Sequence, residues 1–146
     1  MDSKEFKLYV RKVLLDNGFN EHSNPTCYLK DMGDYYLRCY IDKSTWSDSY
    51  GVFYEVYLKK FFEYNSLIKA KAPFDFSIEA RYDGIGAWFD LDKYTTAELK
   101  HYISIAINEL LEKFEKAGIT GLFAEYPYRF TIFHKEYIAE HYGKKE

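Results

Sequence analysis

Between Phe74 and Ile119 the apolar residues change their period from two to about 3.6, and the change falls between a turn signal and a helix cap. Phe74, Phe76, Ile78 and Ala80 alternate with Asp75, Ser77, Glu79 and Arg81, which places apolar groups on one face of a strand and charge on the other. Asp83-Gly84 supplies the positive-φ chemistry of a tight hairpin turn. The return run sets Ile85, Ala87, Phe89 and Leu91 on one face, and Trp88 and Asp90 on the other. Half-wet strands of this kind belong to antiparallel sheets, since buried parallel strands are apolar throughout. Thr95 and Glu98 then form a capping box, followed at helical spacing by Leu99, Ile103, Ala106, Ile107, Leu110, Leu111, Phe114 and Ala117. Gly118 stands where a left-handed cap would end the helix, with Ile119 able to fold back on Phe114. A helix from Thr96 to Ala117 is about 33 Å long at 1.5 Å per residue. A one-sided sheet and a helix of that length must cover each other. The inner face is expected to include Val52, Val56, Phe76, Ile78, Ala87 and Phe89.

The rest of the chain extends this pattern. Phe6, Val10, Val13 and Leu14 predict a first helix from about Ser3 to Asn17, closed by Gly18 with Phe19 packing on Leu14. Thr26–Lys30 and Tyr35–Lys43 flank Asp31-Met32-Gly33-Asp34 as a hairpin. Parity places Cys27 and Leu29 with Tyr35, Leu37, Cys39 and Ile41, so Leu29 is expected opposite Leu37 and Cys27 opposite Cys39. A polar loop carrying Trp46 precedes a third strand, Gly51–Leu58. Lys59–Pro73 reads as a long basic loop or a short helix through Phe61, Tyr64 and Ile68. Gly121–Pro127 reads as a connection, Tyr128, Phe130 and Ile132 as a last strand, and His134–Tyr142 as a closing helix. The fold class is α+β. One domain, residues 1–146, holds an antiparallel sheet of about five strands with an N-terminal helix and a long C-terminal helix packed on one face.

The second face of that sheet is the unusual feature. It collects Tyr36, Arg38, Tyr40 and Asp42, then Phe53, Glu55 and Tyr57, then Glu79, Arg81, Trp88 and Asp90. The aromatic share of the chain is 21%, and Tyr36, Tyr40, Phe53, Tyr57 and Trp88 fall on this nominally wet side. Trp, Tyr and Arg dominate interface hot spots, so Tyr36, Arg38, Tyr40, Tyr57, Glu79, Arg81, Trp88 and Asp90 form the candidate binding set. The competing reading is that the Lys59–Pro73 segment covers the face and makes it a second core.

A net charge of −3 argues against broad phosphate-backbone binding and permits a basic protein partner. No stretch approaches the roughly 20 apolar residues of a membrane span, and Met1-Asp2-Ser3-Lys4-Glu5 opens directly on an amphipathic pattern, so a cytoplasmic protein is expected. In that compartment the two cysteines are expected as reduced thiols, although their register would allow a cross-strand disulfide. His22, His101, His134 and His141 follow no metal-ligand spacing. GxSxG, P-loop and GxGxxG signatures are absent, and no cofactor is expected. The one enzymatic alternative is a metal-assisted hydrolase or nuclease built on Glu79, Asp90 and Asp92, with Arg81 stabilising charge. It requires those carboxylates to converge.

Several short landmarks carry a resemblance. They are Leu14 with Gly18-Phe19, Tyr28, Trp46 before the third strand, and Arg81 with Ala87-Trp88-Phe89 ahead of the long helix. In these the chain resembles an uncharacterised bacterial family of small proteins, a domain of unknown function. That resemblance implies an α+β fold and assigns no site. By type and size the chain is also similar to immunity proteins of bacterial toxin systems, which implies a stoichiometric inhibitor of a partner protein, immunity-like or antitoxin-like.

Overall fold

The computed structural model describes residues 1–22, 27–69, 76–126 and 132–142. Helix α1 (Ser3–Asp16) begins at a capping box in which the Asp2 carboxylate accepts from the Glu5 amide at 2.8 Å. It ends as its sequence requires. Gly18 takes φ 85°, its amide donates to the Leu15 carbonyl at 3.1 Å, and the Phe19 amide donates to the Leu14 carbonyl at 3.1 Å. Those are the two bonds of a Schellman motif.

The sheet is antiparallel throughout. Strands β1 (Asn20–Glu21), β2 (Cys27–Asp31), β3 (Tyr35–Lys43), β4 (Ser49–Leu58) and β5 (Phe76–Glu79) lie side by side in chain order, and β6 (Phe89–Asp90) also pairs with β4. The spine is the β3–β4 hairpin, paired from Tyr35↔Leu58 to Lys43↔Tyr50. Its parity buries Val52, Tyr54, Val56 and Leu58 against the helices.

Two pairings differ from the sequence reading. In the first hairpin Leu29 lies opposite Arg38 and Tyr28 opposite Cys39, one residue away from the expected register. The cause is the turn. The Met32 amide donates to the Tyr35 carbonyl at 2.9 Å, which leaves a two-residue turn, Gly33-Asp34, with Gly33 at φ 100°. A two-residue turn fixes the register, and parity follows from it. Tyr28 therefore faces the main core, Leu29 faces outward, and Cys27 and Cys39 lie on opposite faces with no disulfide between them.

The second difference concerns Phe76–Leu91. These residues do not close a hairpin on themselves. β5 pairs with Phe53–Val56, and β6 pairs with Ser49 and Tyr50 farther along the same edge of β4. The Asp83-Gly84 turn does form, but around the single bridge Tyr82↔Gly86. β4, ten residues long, satisfies the backbone of both segments in tandem. The parity survives: Ala80, Ala87, Phe89 and Leu91 are buried and Trp88 is exposed. Phe74 and Asp75 lie outside the described residues.

Within the Lys59–Pro73 segment, helix α2 (Tyr64–Lys69) realises the short-helix alternative through Tyr64 and Ile68, while Phe61 precedes it and residues 70–73 lie outside the described residues. Helix α3 (Thr96–Glu125) starts at the Thr95–Glu98 capping box and buries Leu99, Ile103, Ala106, Ile107, Leu111 and Phe114, while Leu110 and Ala117 are only half-buried. It does not stop at Ala117. Gly118 takes φ 61° and ψ −172°, a conformation essentially reserved for glycine. The chain bends there and resumes its helix, carrying Ile119 and Leu122 into the core, so Gly121–Glu125 is helix and not connection. Lys113 bridges the bend, with Nζ 2.5 Å from Glu125 Oε1 and 2.8 Å from the Tyr126 hydroxyl. Helix α4 (Ile132–Tyr142) closes the described chain. Of the expected last strand, Tyr128 and Phe130 lie outside the described residues and Ile132 opens α4.

α1 and α3 pack together on the inner face. Phe6 of α1 lies 5.1 Å from the Tyr50 ring, Phe114 of α3 sits edge-on to Tyr54 at 5.6 Å, and the Tyr54 hydroxyl donates to the Ile107 carbonyl at 3.4 Å. Among the described residues no helix is long and apolar enough to cross a membrane.

Candidate functional site

The outer face is ordered by cross-strand rows. Asp31, Tyr36 and Tyr57 form one row, Leu29, Arg38 and Glu55 the next, and Cys27, Tyr40, Phe53 and Glu79 the third. The chain treats the first two rows and the third differently.

Over the first two rows the chain folds back on the sheet after Leu58. Leu67 of α2 is 2% exposed and closes on Leu29 and Tyr57. Tyr64 sets its ring edge-on to Tyr36 at 5.4 Å and shares a 2.9 Å hydrogen bond with His22. Lys59 anchors the start of this strap, 2.7 Å from Asp31 and 5.0 Å above the Tyr36 ring. Beneath it lies an ion pair. Arg38 Nε donates to Glu55 Oε1 at 2.8 Å, its Nη1 donates to the Leu67 carbonyl at 3.1 Å, and its guanidinium stacks 5.0 Å over Tyr57. The Tyr57 hydroxyl donates to the same Glu55 oxygen at 3.0 Å. Burial opposes the charge on Arg38, but the adjacent Glu55 carboxylate, with Tyr57, leaves the guanidinium pKa raised. Burial, and then Glu55, push the Tyr57 phenol well above its ordinary value. Of the candidate binding residues, Arg38 and Tyr57 are thus interior and Tyr36 is half-buried.

The third row carries the rest. Tyr40 stacks on Phe53 at 5.3 Å with rings 20° apart, and Phe53 meets Trp88 edge-on at 5.6 Å. Gly51 is the seat for this arrangement. A Cβ there would lie 2.7 Å from the Phe53 ring and 3.3 Å from Trp88, so the missing side chain lets both rings lie down on the strand. Glu79 stands opposite Phe53 and pairs with Arg81 at 2.6 Å, while Asp90 stands opposite Ser49. Tyr40 and Phe53 are half-buried, and Trp88 and Arg81 are exposed. The result is a short aromatic ridge flanked by charge.

The carboxylates of the enzymatic alternative do not converge. Glu79 and Asp90 face positions on β4 four residues apart, about 13 Å at roughly 3.3 Å per residue. The Asp90 carboxylate instead accepts the Asp92 amide at 2.9 Å, closing the turn ahead of α3. Among the described residues no group of three or more His, Cys, Asp or Glu side chains is placed to hold a metal ion. Cys39 is fully buried, and burial pushes its thiol pKa well up, away from reactivity.

Sequence reasoning passed over three residues of this region as site members. Phe53 is the centre of the ridge, Gly51 its seat, and Trp46, in the β3–β4 loop, is 93% exposed. The available signals were a glycine two residues before an aromatic on one strand face, and a tryptophan in an otherwise polar turn. Comparison with models of known protein families, with curated proteins and with solved structures finds no match to this chain.

Proposed function

We propose that the chain is a protein-binding module that works by occlusion, a stoichiometric inhibitor of the immunity or antitoxin type. One observation carries the reading: the ridge Tyr40–Phe53–Trp88 lies on the sheet face with its tryptophan exposed, beside a strap that covers the neighbouring rows of the same face. Rigid aromatic rings supported by a strand offer binding area at little ordering cost, and Trp and Tyr are the residue types that anchor interfaces. Glu79, Arg81 and Asp90 rim the ridge and supply register and selectivity. The net charge of −3 fits a basic partner better than a nucleic acid.

The test pairs function with stoichiometry. Co-expression should relieve the toxicity of a neighbouring gene product, and the two purified proteins should form a 1:1 complex by light scattering. Trp88→Ala should weaken that complex about tenfold or more, the scale of a hot-spot residue, while the variant stays folded at the temperature of the binding measurement. A chain that protects against no neighbouring product, and remains alone when mixed with each of them, does not have this function.

A further inference from the structure

We infer that the end of the β3–β4 hairpin completes this contact surface, with Trp46 as a second anchor beside Trp88, and that the partner it fits is a basic protein surface with two apolar pockets. The inference rests on the protein-binding reading above and specifies its partner. The chain has two tryptophans, and both stand out from the fold, Trp46 at 93% exposure and Trp88 at 41%. Both also belong to one end of the sheet. Trp88 flanks Gly51, which pairs with Asp42 one rung below the last pair of the hairpin, Lys43↔Tyr50, and Trp46 lies in the loop beyond that pair.

This loop is held in shape. The Ser44 amide donates to the Ser49 carbonyl at 2.9 Å, the Trp46 amide donates to the Ser44 hydroxyl at 3.1 Å, and the Ser47 and Ser49 hydroxyls are 2.9 Å apart. Lys43 Nζ lies 3.5 Å from the carbonyls of both Ser44 and Ser47. A tryptophan presented on an ordered turn loses little backbone entropy on binding, which is what an anchor requires.

The surroundings choose the partner. Asp42 lies across from Gly51 and Asp90 across from Ser49, while the Asp48 carbonyl accepts the Leu91 amide and Asp92 follows in the next turn. Lys43 reaches onto the loop carbonyls, Lys93 lies over the Tyr94 ring at 5.5 Å and Lys7 over the Tyr50 ring at 6.0 Å, so these three lysines are outnumbered by the carboxylates. Four carboxylates around two tryptophans repel phosphate-rich surfaces, whether lipid or nucleic acid, and attract lysine and arginine.

Photo-crosslinking from the full chain in its own cells tests this. p-Benzoylphenylalanine replaces Trp46, Trp88 or, as a control on the helical layer, the exposed Glu109. Positions 46 and 88 should give a 1:1 adduct with the same protein, and position 109 none. That protein, purified, should bind Trp46→Ala at least tenfold more weakly than the parent. Asp42→Asn with Asp90→Asn should slow association and flatten its salt dependence. An adduct at 88 without one at 46, or unchanged affinity for Trp46→Ala, removes the hairpin end from the interface and leaves the binding-module reading standing. No adduct at either position overturns both. A blue shift of tryptophan emission on mixing the purified chain with phosphatidylglycerol-containing vesicles, lost in Trp46→Ala, would overturn the protein partner in favour of a membrane surface.

Discussion

Arg38 and Glu55 form an ion pair that water barely reaches, with side-chain exposures of 6% and 2%. Desolvating two charges is expensive, and the pair persists because the neighbours complete its hydrogen bonds: the Tyr57 hydroxyl on Glu55 and the Leu67 carbonyl on Arg38. Removing one member strands the other. Arg38→Met alone should cost about 3–5 kcal/mol. Arg38→Met with Glu55→Leu removes both charges and should lose less than the sum of the two single changes, by about 1–3 kcal/mol. Urea melts of the two single variants and the double variant measure this coupling. Additivity would mean that the pair contributes nothing beyond its separate groups. Gly51 works at the same scale by having no side chain, which is why its neighbour Phe53 lies flat enough to join Tyr40 and Trp88.

α3 is the element that seals the main core. Its stripe runs from Leu99 through Ile103 and Ile107 to Phe114, and Tyr54 reaches from the sheet to hydrogen-bond its backbone. Ile107 is fully buried, so Ile107→Ala should cost about 2–5 kcal/mol through lost burial and a cavity. That is a large fraction of a typical domain stability of about 5–15 kcal/mol. Glu109→Ala, on the exposed side of the same turn, should change little, within about 0.5 kcal/mol. Thermal or urea unfolding of both variants distinguishes the two faces, and equal shifts would contradict the packing. The Gly118 bend makes the last stretch of α3 useful to the core: a straight continuation would carry Ile119 and Leu122 along a different line.

At the scale of the whole molecule, the described residues form two apolar cores of very unequal size on the two sides of one sheet. The inner one is shared by α1, α3 and the sheet, while the outer one rests on Leu29, Tyr57 and Leu67 under a six-residue helix. Few buried contacts mean low local stability. Backbone amides of residues 64–69 should therefore exchange hydrogen by local opening, well before those of β3 and β4. Acid should widen the gap. Lys59, and then the Gly33 amide, lower the Asp31 pKa below its ordinary 3.8. The stabilisation from this contact is therefore present above that ordinary value and is lost as pH falls through the lower folded value. Protection of 64–69, corrected for intrinsic rate, should fall over that acidic range in the parent, and Asp31→Asn should lower it already at neutral pH. Uniform protection across strap and sheet would mean that the strap opens only with the whole fold.

The amino-acid sequence by itself determined much of what depends on neighbours a few residues away, though not the Gly33-Asp34 turn or the bend at Gly118. Both helix starts, the Gly18 stop, the Tyr35–Leu58 spine and the parity of Ile78, Ala80, Phe89 and Leu91 follow from caps, glycines and period, and together they specify the α+β class. What the tertiary structure decided was how those pieces satisfy one another. The Leu29 register escaped because α2 gives that leucine a second apolar side, and once both faces of a strand are buried, alternation no longer tells them apart. β6 escaped because a backbone hydrogen bond carries no side-chain signature, so nothing local distinguishes pairing with β5 from pairing with the free length of β4. The candidate site shows the same division. The sequence placed Tyr40, Glu79, Arg81, Trp88 and Asp90 on one face with Tyr36, Arg38 and Tyr57. Only the return of residues 59–69 over that face separated a buried ion pair from an exposed aromatic ridge, because burial is a property of what lies above a side chain and not of the side chain itself.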